Sequence, residues 1–115
     1  MDADERQRLM GDGQRSFNDG DFYAAHEHWE AVWLATTGGE RPWLQALIQL
    51  ATGLHHLQRQ RADLCRGLVD KALAKLRDAP PTLDGLDLAR LQRDARALVA
   101  AIDRGETLDP RAFRV

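Results

Sequence analysis

Glycine and proline cut this chain into five helix-length stretches, and no alternating, β-branched run between them offers a strand. An all-α fold with no sheet is therefore expected. The first stretch opens at Asp2, with Glu5 three residues on in a capping-box arrangement, and runs to the turn Phe17-Asn18-Asp19-Gly20. Asp21 is placed to cap the second, which ends at Thr36-Thr37-Gly38-Gly39. Pro42 suits the first turn of a third, which continues through Leu44, Leu47, Leu50 and Leu54 to about Arg59. A fourth runs from Ala62 or Asp63 through Leu64, Leu68, Ala72 and Leu76 to a stop at Ala79-Pro80-Pro81. Asp84, with Asp87 three residues on, opens a fifth, in which Leu88, Leu91, Ala95, Leu98 and Ile102 keep a three-four spacing as far as Gly105. Residues 106–115 contain Pro110, show no period and read as a loose tail outside a domain spanning 1–105.

Short turns make neighbouring helices antiparallel, so helices one and two, and three and four, should form hairpins with the fifth packed across them. The two hairpin turns, Asn18-Asp19-Gly20-Asp21-Phe22-Tyr23-Ala24-Ala25 and Gln60-Arg61-Ala62-Asp63-Leu64-Cys65-Arg66-Gly67, look alike in the manner of tetratricopeptide units, although neither carries that repeat's full pattern. At 115 residues one domain is expected. Sixteen Lys and Arg against 18 Asp and Glu, interleaved along the chain, give no basic patch for nucleic acid or an anionic membrane. The start Met1-Asp2-Ala3-Asp4-Glu5-Arg6 has no apolar segment of signal-peptide type, and no stretch is apolar for the length of a membrane span. The single cysteine, Cys65, excludes an internal disulfide and suits a reducing compartment. A soluble, cytoplasmic protein is expected, with homodimerisation through an exposed helix stripe left open.

Chemistry concentrates in one window. All four histidines and all three tryptophans lie between His26 and His56, which opens with His26-Glu27-His28-Trp29-Glu30-Ala31-Val32-Trp33. On a helix, His26, Glu30 and Trp33 share a face, flanked by Phe22, Tyr23 and Trp29, so an ionisable pair is expected inside an apolar arc. Burying that pair demands partners. On the third helix, Gln45, Gln49, Thr52 and His56 form one stripe, and Trp43, Leu47, Leu50, Leu54 and Leu57 the opposite one. Periodicity does not distinguish a solvated stripe from one turned toward a polar pocket. If it is turned inward, Gln49 and His56 would answer His26 and Glu30. His28 and Glu27 read as exposed, His55 as a packing residue at the edge of the leucine arc, and Cys65 as inert.

Tyr23-Ala24-Ala25-His26-Glu27-His28-Trp29-Glu30-Ala31-Val32-Trp33, followed by Leu47-Ile48-Gln49-Leu50-Ala51 and His56, resembles the DUF309 family, small bacterial and archaeal helical proteins with no established function. The resemblance runs from about Phe17 to Ile102 and implies an all-helical domain. Its His-x-x-x-Glu-x-x-Trp/Tyr pattern, which falls on His26, Glu30 and Trp33, carries a suggestion of metal binding. Its second motif, usually Gly-Leu-Ile-Gln with a histidine seven residues after the Gln, falls on Ala46-Leu47-Ile48-Gln49 and His56. Ala46 replaces the usual Gly, and Gln60-Arg61 replaces the Gly-Asn that often follows the histidine.

The leading expectation is a small binding protein with a ligand pocket of His26, Glu30, Trp33, Gln49 and His56, walled also by Trp29. A metal version would use His26, Glu30 and His56 as ligands, with Gln49 or water completing a site suited to zinc or to divalent iron or manganese. A metal-free hydrogen-bond network is the other form of the same pocket. A helical protein-protein interaction module with a purely structural network is an alternative. A metal-dependent hydrolase with Glu30 as general base is a lesser one, since no nucleophile elbow, phosphate loop or paired catalytic motif is present.

Overall fold

Aspartates set three of the five helix starts. The computed structural model describes residues 1–115, and in it the side chain of Asp2 accepts from Glu5 N at 2.7 Å to open α1 (Ala3–Asn18). Asp21 accepts from Ala24 N at 3.1 Å to open α2 (Phe22–Leu34), and Asp87 from Arg90 N at 3.0 Å to open α5 (Leu88–Asp103). Each satisfies one of the orphan amides of a helix N-terminus. Between them, α3 (Arg41–Gln58) carries Pro42 in its first turn, and α4 (Ala62–Leu76) follows a turn in which Gln60 adopts a left-handed φ of 62°. That conformation favours glycine, so Gln60 is a strained occupant of the turn.

One stretch corrects the sequence reading. Residues 84–87 are not the first turn of α5: Thr82–Leu83 (β1) and Leu86–Asp87 (β2) pair antiparallel as a minimal two-stranded sheet, with Thr82 opposite Asp87 and Leu83 opposite Leu86. Asp84 and Gly85 sit between them with φ of 48° and 82°. Two successive positive φ values belong to a tight hairpin turn, for which Asp-Gly is a preferred pair. The hairpin turns Leu83 and Leu86 into the core and leaves Asp87 free to cap α5.

Packing follows the chain: α1 against α2, α2 against α3, α3 against α4, and α5 beside α4 and β1 rather than across both hairpins. The shared core runs from Met10 through Phe17, Phe22 and Trp29 to the leucines of α3 and α5. Phe17 and Phe22 meet edge to face at 4.9 Å between centroids, Phe17 and Trp29 lie 5.7 Å apart, and Trp29 Nε1 donates to Met10 O at 3.4 Å. Residues 106–115 are not loose. Pro110–Ala112 form a single 3-10 turn, η1, against α3, and Leu108, Phe113 and Val115 pack on the core. No helix is long and apolar enough to cross a membrane.

Cys65 lies fully buried on α4, and burial pushes its thiol up to about 11. At pH 8 the thiolate fraction is then roughly one in a thousand even where reagent reaches it. Labelling of the native protein by a thiol reagent should therefore be slow and follow chain opening, becoming fast and stoichiometric in denaturant. Rapid labelling of the folded protein would show that α4 does not pack as described.

Candidate functional site

The core-facing stripe of α2 is Phe22, Ala25, Trp29 and Val32. Tyr23, His26, Glu30 and Trp33 each follow one residue after it, about 100° further round, at the edge where α2 meets α3. This corrects the expectation of a buried ionisable pair: Glu30 keeps 48% of its side-chain surface exposed and His26 23%. The apolar arc is narrower than helix periodicity predicts, because Tyr23 is 54% exposed and Trp33 only half-buried. His26 Nε2 lies 3.2 Å from Glu30 Oε2, one turn along the helix. On its other side, His26 Nδ1 donates to Tyr23 O at 3.2 Å. Carbonyl and carboxylate both accept, so the two contacts are made together only by the doubly protonated ring.

From α3, Thr52, His55 and His56 face the same edge. With Tyr23 and His26 they line a cleft of about 280 Å³ between the two helices. Aromatic rings form its walls: Tyr23 lies 5.3 Å from His26 and 5.6 Å from His55 between centroids, and His55 lies 6.1 Å from His56, each pair tilted by 50–56°. Thr52 Oγ1 donates to Ile48 O at 2.9 Å, one turn back along α3. Partial burial lowers the pKa of His55, reinforced by the positive field of Arg59 and by the neighbouring imidazoles of His56 and His26, and Asp21 opposes this weakly. Periodicity alone makes His55 a packing residue at the edge of the leucine arc, whereas in the structure it lines the cleft. The signal that marks it is the His55-His56 doublet, whose two rings straddle the α3 edge that α2 covers.

A family model described as "Domain of unknown function (DUF309)" matches residues 10–68, half of the chain and all of the cleft. The chain belongs to the DUF309 family. It is also 29% identical over 85 residues to a protein of Aquifex aeolicus (strain VF5) described as an "Uncharacterized protein", an alignment covering 73% of this chain and 26% of that relative. The chain thus spans about a quarter of that relative's length.

In this DUF309 chain the motif residues part company. His26 and Glu30 engage each other beside the cleft, and His56 lines it. Trp33 does not wall it: the Arg41 guanidinium lies over the indole at 4.3 Å, while Arg41 Nη1 donates to Trp33 O at 2.9 Å and Thr36 O at 2.7 Å. Trp33 is thus a platform for the cation that closes the C-terminal carbonyls of α2. Gln49 turns toward α4, where its Oε1 accepts from Lys75 Nζ at 3.1 Å. No group of three His, Cys, Asp or Glu side chains converges as a metal centre requires. His26, Glu30 and His56 therefore do not form a ready three-ligand set: the only carboxylate is engaged by His26, and the cleft's further members are rings and a hydroxyl.

Proposed function

We propose that this DUF309 chain is a small-molecule binding protein whose site is the cleft of Tyr23, His26, Thr52, His55 and His56. The observation that carries this reading is the pooling of three imidazoles, a phenol and a hydroxyl from two helices around one concavity, while the rings of His55 and His56 enter no hydrogen bond or ion pair within the chain. Polar groups left free between apolar ring faces are what orients a ligand in a recognition site. A cleft of about 280 Å³ suits a molecule of about one ring carrying polar substituents rather than a dinucleotide. Imidazoles both donate and accept, which favours an amphoteric or weakly acidic ring compound. The lone, buried Cys65 suits action in the cytoplasm, and interleaved charges give nucleic acid no surface to grip.

A panel of single-ring carboxylates, phenols and nucleobases titrated into the protein tests this by NMR of the histidine rings. The expected result is saturable movement of the His55 and His56 signals together, with a rise in melting temperature as ligand exceeds Kd. His55→Ala and Tyr23→Ala should each weaken binding by about ten-fold while leaving the fold intact, because Tyr23 is 54% exposed and His55 lies outside the buried core. Absence of any histidine response across the panel, in protein that melts cooperatively, sinks the reading.

A further inference from the structure

The outer sides of α2 and α4 carry charge of opposite sign. Residues 16–40 hold five Asp and Glu and no Lys or Arg, whereas residues 59–77 hold six Lys and Arg against two Asp. On α2 the outward stripe is Tyr23, Glu27, Glu30 and Leu34, all exposed, at steps of four, three and four residues. On α4 the steps are the same for Leu64, Leu68, Lys71 and Lys75, with Leu64 and Lys71 exposed. Lys75 reaches Gln49 of α3, which places this stripe on the edge of α4 that borders α3. Arg66 leaves from the opposite edge to meet Asp103 of α5.

Between the two stripes runs α3, showing half-buried Gln45, Gln49, Thr52 and His56. Both flanking helices run antiparallel to it, and their contacts with it fix their heights. Tyr23 meets His55 at 5.6 Å, while a Cβ on Gly53 would meet Cys65 O at 3.4 Å and Leu68 Cβ at 3.5 Å. Tyr23 and Leu64 therefore stand level near the C-terminal end of α3, and Glu30 and Lys71 stand level about two turns below them. Three of the four large hydrophobic side chains that the molecule exposes belong to these stripes: Tyr23, Leu34 at 68% and Leu64 at 40%. Glu27 and Lys71 have no ion-pair partner within the chain.

We propose that this face pairs with the same face of a second copy of the chain, about a two-fold axis running along α3. That operation lays α2 of each copy over α4 of the other at equal height. Tyr23 then meets Leu64, Glu27 and Glu30 meet Lys71, and Leu34 covers the aliphatic stem of Lys75. A two-fold axis across α3 would instead set α2 on α2 and α4 on α4, like charge on like, so the charges select the first arrangement. The apolar ends of the stripes supply buried area, and an isologous contact closes at two copies. Only Tyr23 is shared with the histidine cleft, and the pairing needs no ligand there.

Sedimentation of the full chain over a range of concentration and salt tests this. The expected result is a mass twice that of one chain at about 100 μM, with dissociation favoured as salt rises. Lys71→Glu, and separately the double variant Glu27→Lys with Glu30→Lys, should each raise the dissociation constant at least about ten-fold. Mixed in equal amounts, the two variants should dimerise again, because every Glu of one copy then faces a Lys of the other. Melting curves establish that both fold, as expected for substitutions at exposed positions. Leu64→Asp should also give the monomer. A chain that stays monomeric at about 1 mM, a dimer that every variant leaves intact, or charge variants that remain monomeric on mixing overturns the proposal.

Discussion

Gly13→Ala should destabilise the protein by about 3 kcal/mol or more, or abolish folding, although alanine is the better helix former by about 1 kcal/mol. Gly13 is buried in α1, and a Cβ built on it would lie 2.2 Å from Trp29 Nε1, 2.5 Å from Cδ1 and 2.6 Å from Cε2. None of those atoms is the far end of a flexible chain. Trp29 is fully buried, sits 5.7 Å from Phe17 and donates to Met10 O, so it can retreat only by moving α1 away from α2. The same substitution two residues earlier supplies the control. At Gly11 the nearest atom to a new Cβ is Arg15 Nη1 at 3.5 Å, the tip of a mobile side chain, so Gly11→Ala should stabilise by about 0.5–1 kcal/mol. Urea denaturation of both variants decides the matter through the midpoint. Trp29→Phe should recover part of the Gly13→Ala loss, because the smaller ring makes room and the two sites share one contact. Equal effects at Gly11 and Gly13 would mean that the indole does not cross α1 at Gly13.

The same pair of helices shows what a one-dimensional reading can and cannot reach. Asp2, Asp21, Pro42 and Pro80-Pro81 act within one turn of their own position, so helix boundaries followed from them directly. Asp84-Gly85 is just as local a signal for a hairpin, and it competes with the capping spacing of Asp84 and Asp87; only Asp87 caps. The site residues depend on a neighbour that the helix itself does not specify. Gln49 and His56 lie on one stripe of α3, yet α4 takes the first through Lys75 and α2 the second, since the stripe spans the seam between two packed helices. Glu30 fails as a buried group for the related reason that arc width is set by which aromatic rings a partner helix covers: α1 buries Trp29 through Gly13 and Phe17, whereas Tyr23 stays 54% exposed beside His55 of α3. Residues 106–115 carry no periodic signal at all, because a single 3-10 turn and three apolar residues are held by contacts nearly a hundred residues away in sequence.

Arg6→Ala should cost about 2 kcal/mol, most of it expressed as opening of the β1–β2 hairpin. The Arg6 guanidinium donates to Glu40 at 2.9 and 3.1 Å and to Asp84 at 2.8 and 3.3 Å, joining α1, the α2–α3 connection and the hairpin turn through one planar group. Removing it leaves two carboxylates facing the same gap with no cation between them. Charge-assisted pairs of this kind contribute about 1.5–3 kcal/mol, and the lower half of that range applies here because all three side chains keep between 23% and 38% of their surface in water. Arg6→Lys restores charge but offers a point donor instead of a fork, so it should recover less than half of the loss. Asp84→Asn keeps a turn residue tolerant of the left-handed φ of 48° while removing the charge, which allows a double-mutant cycle. A coupling of about 1 kcal/mol between positions 6 and 84, falling in high salt, with faster amide exchange at Leu83 and Leu86 in both single variants, would identify the ion pair as what docks the hairpin. Zero coupling would leave the burial of Leu83 and Leu86 as sufficient, and the clasp would then be an exposed pairing that forms only after the hairpin has already packed.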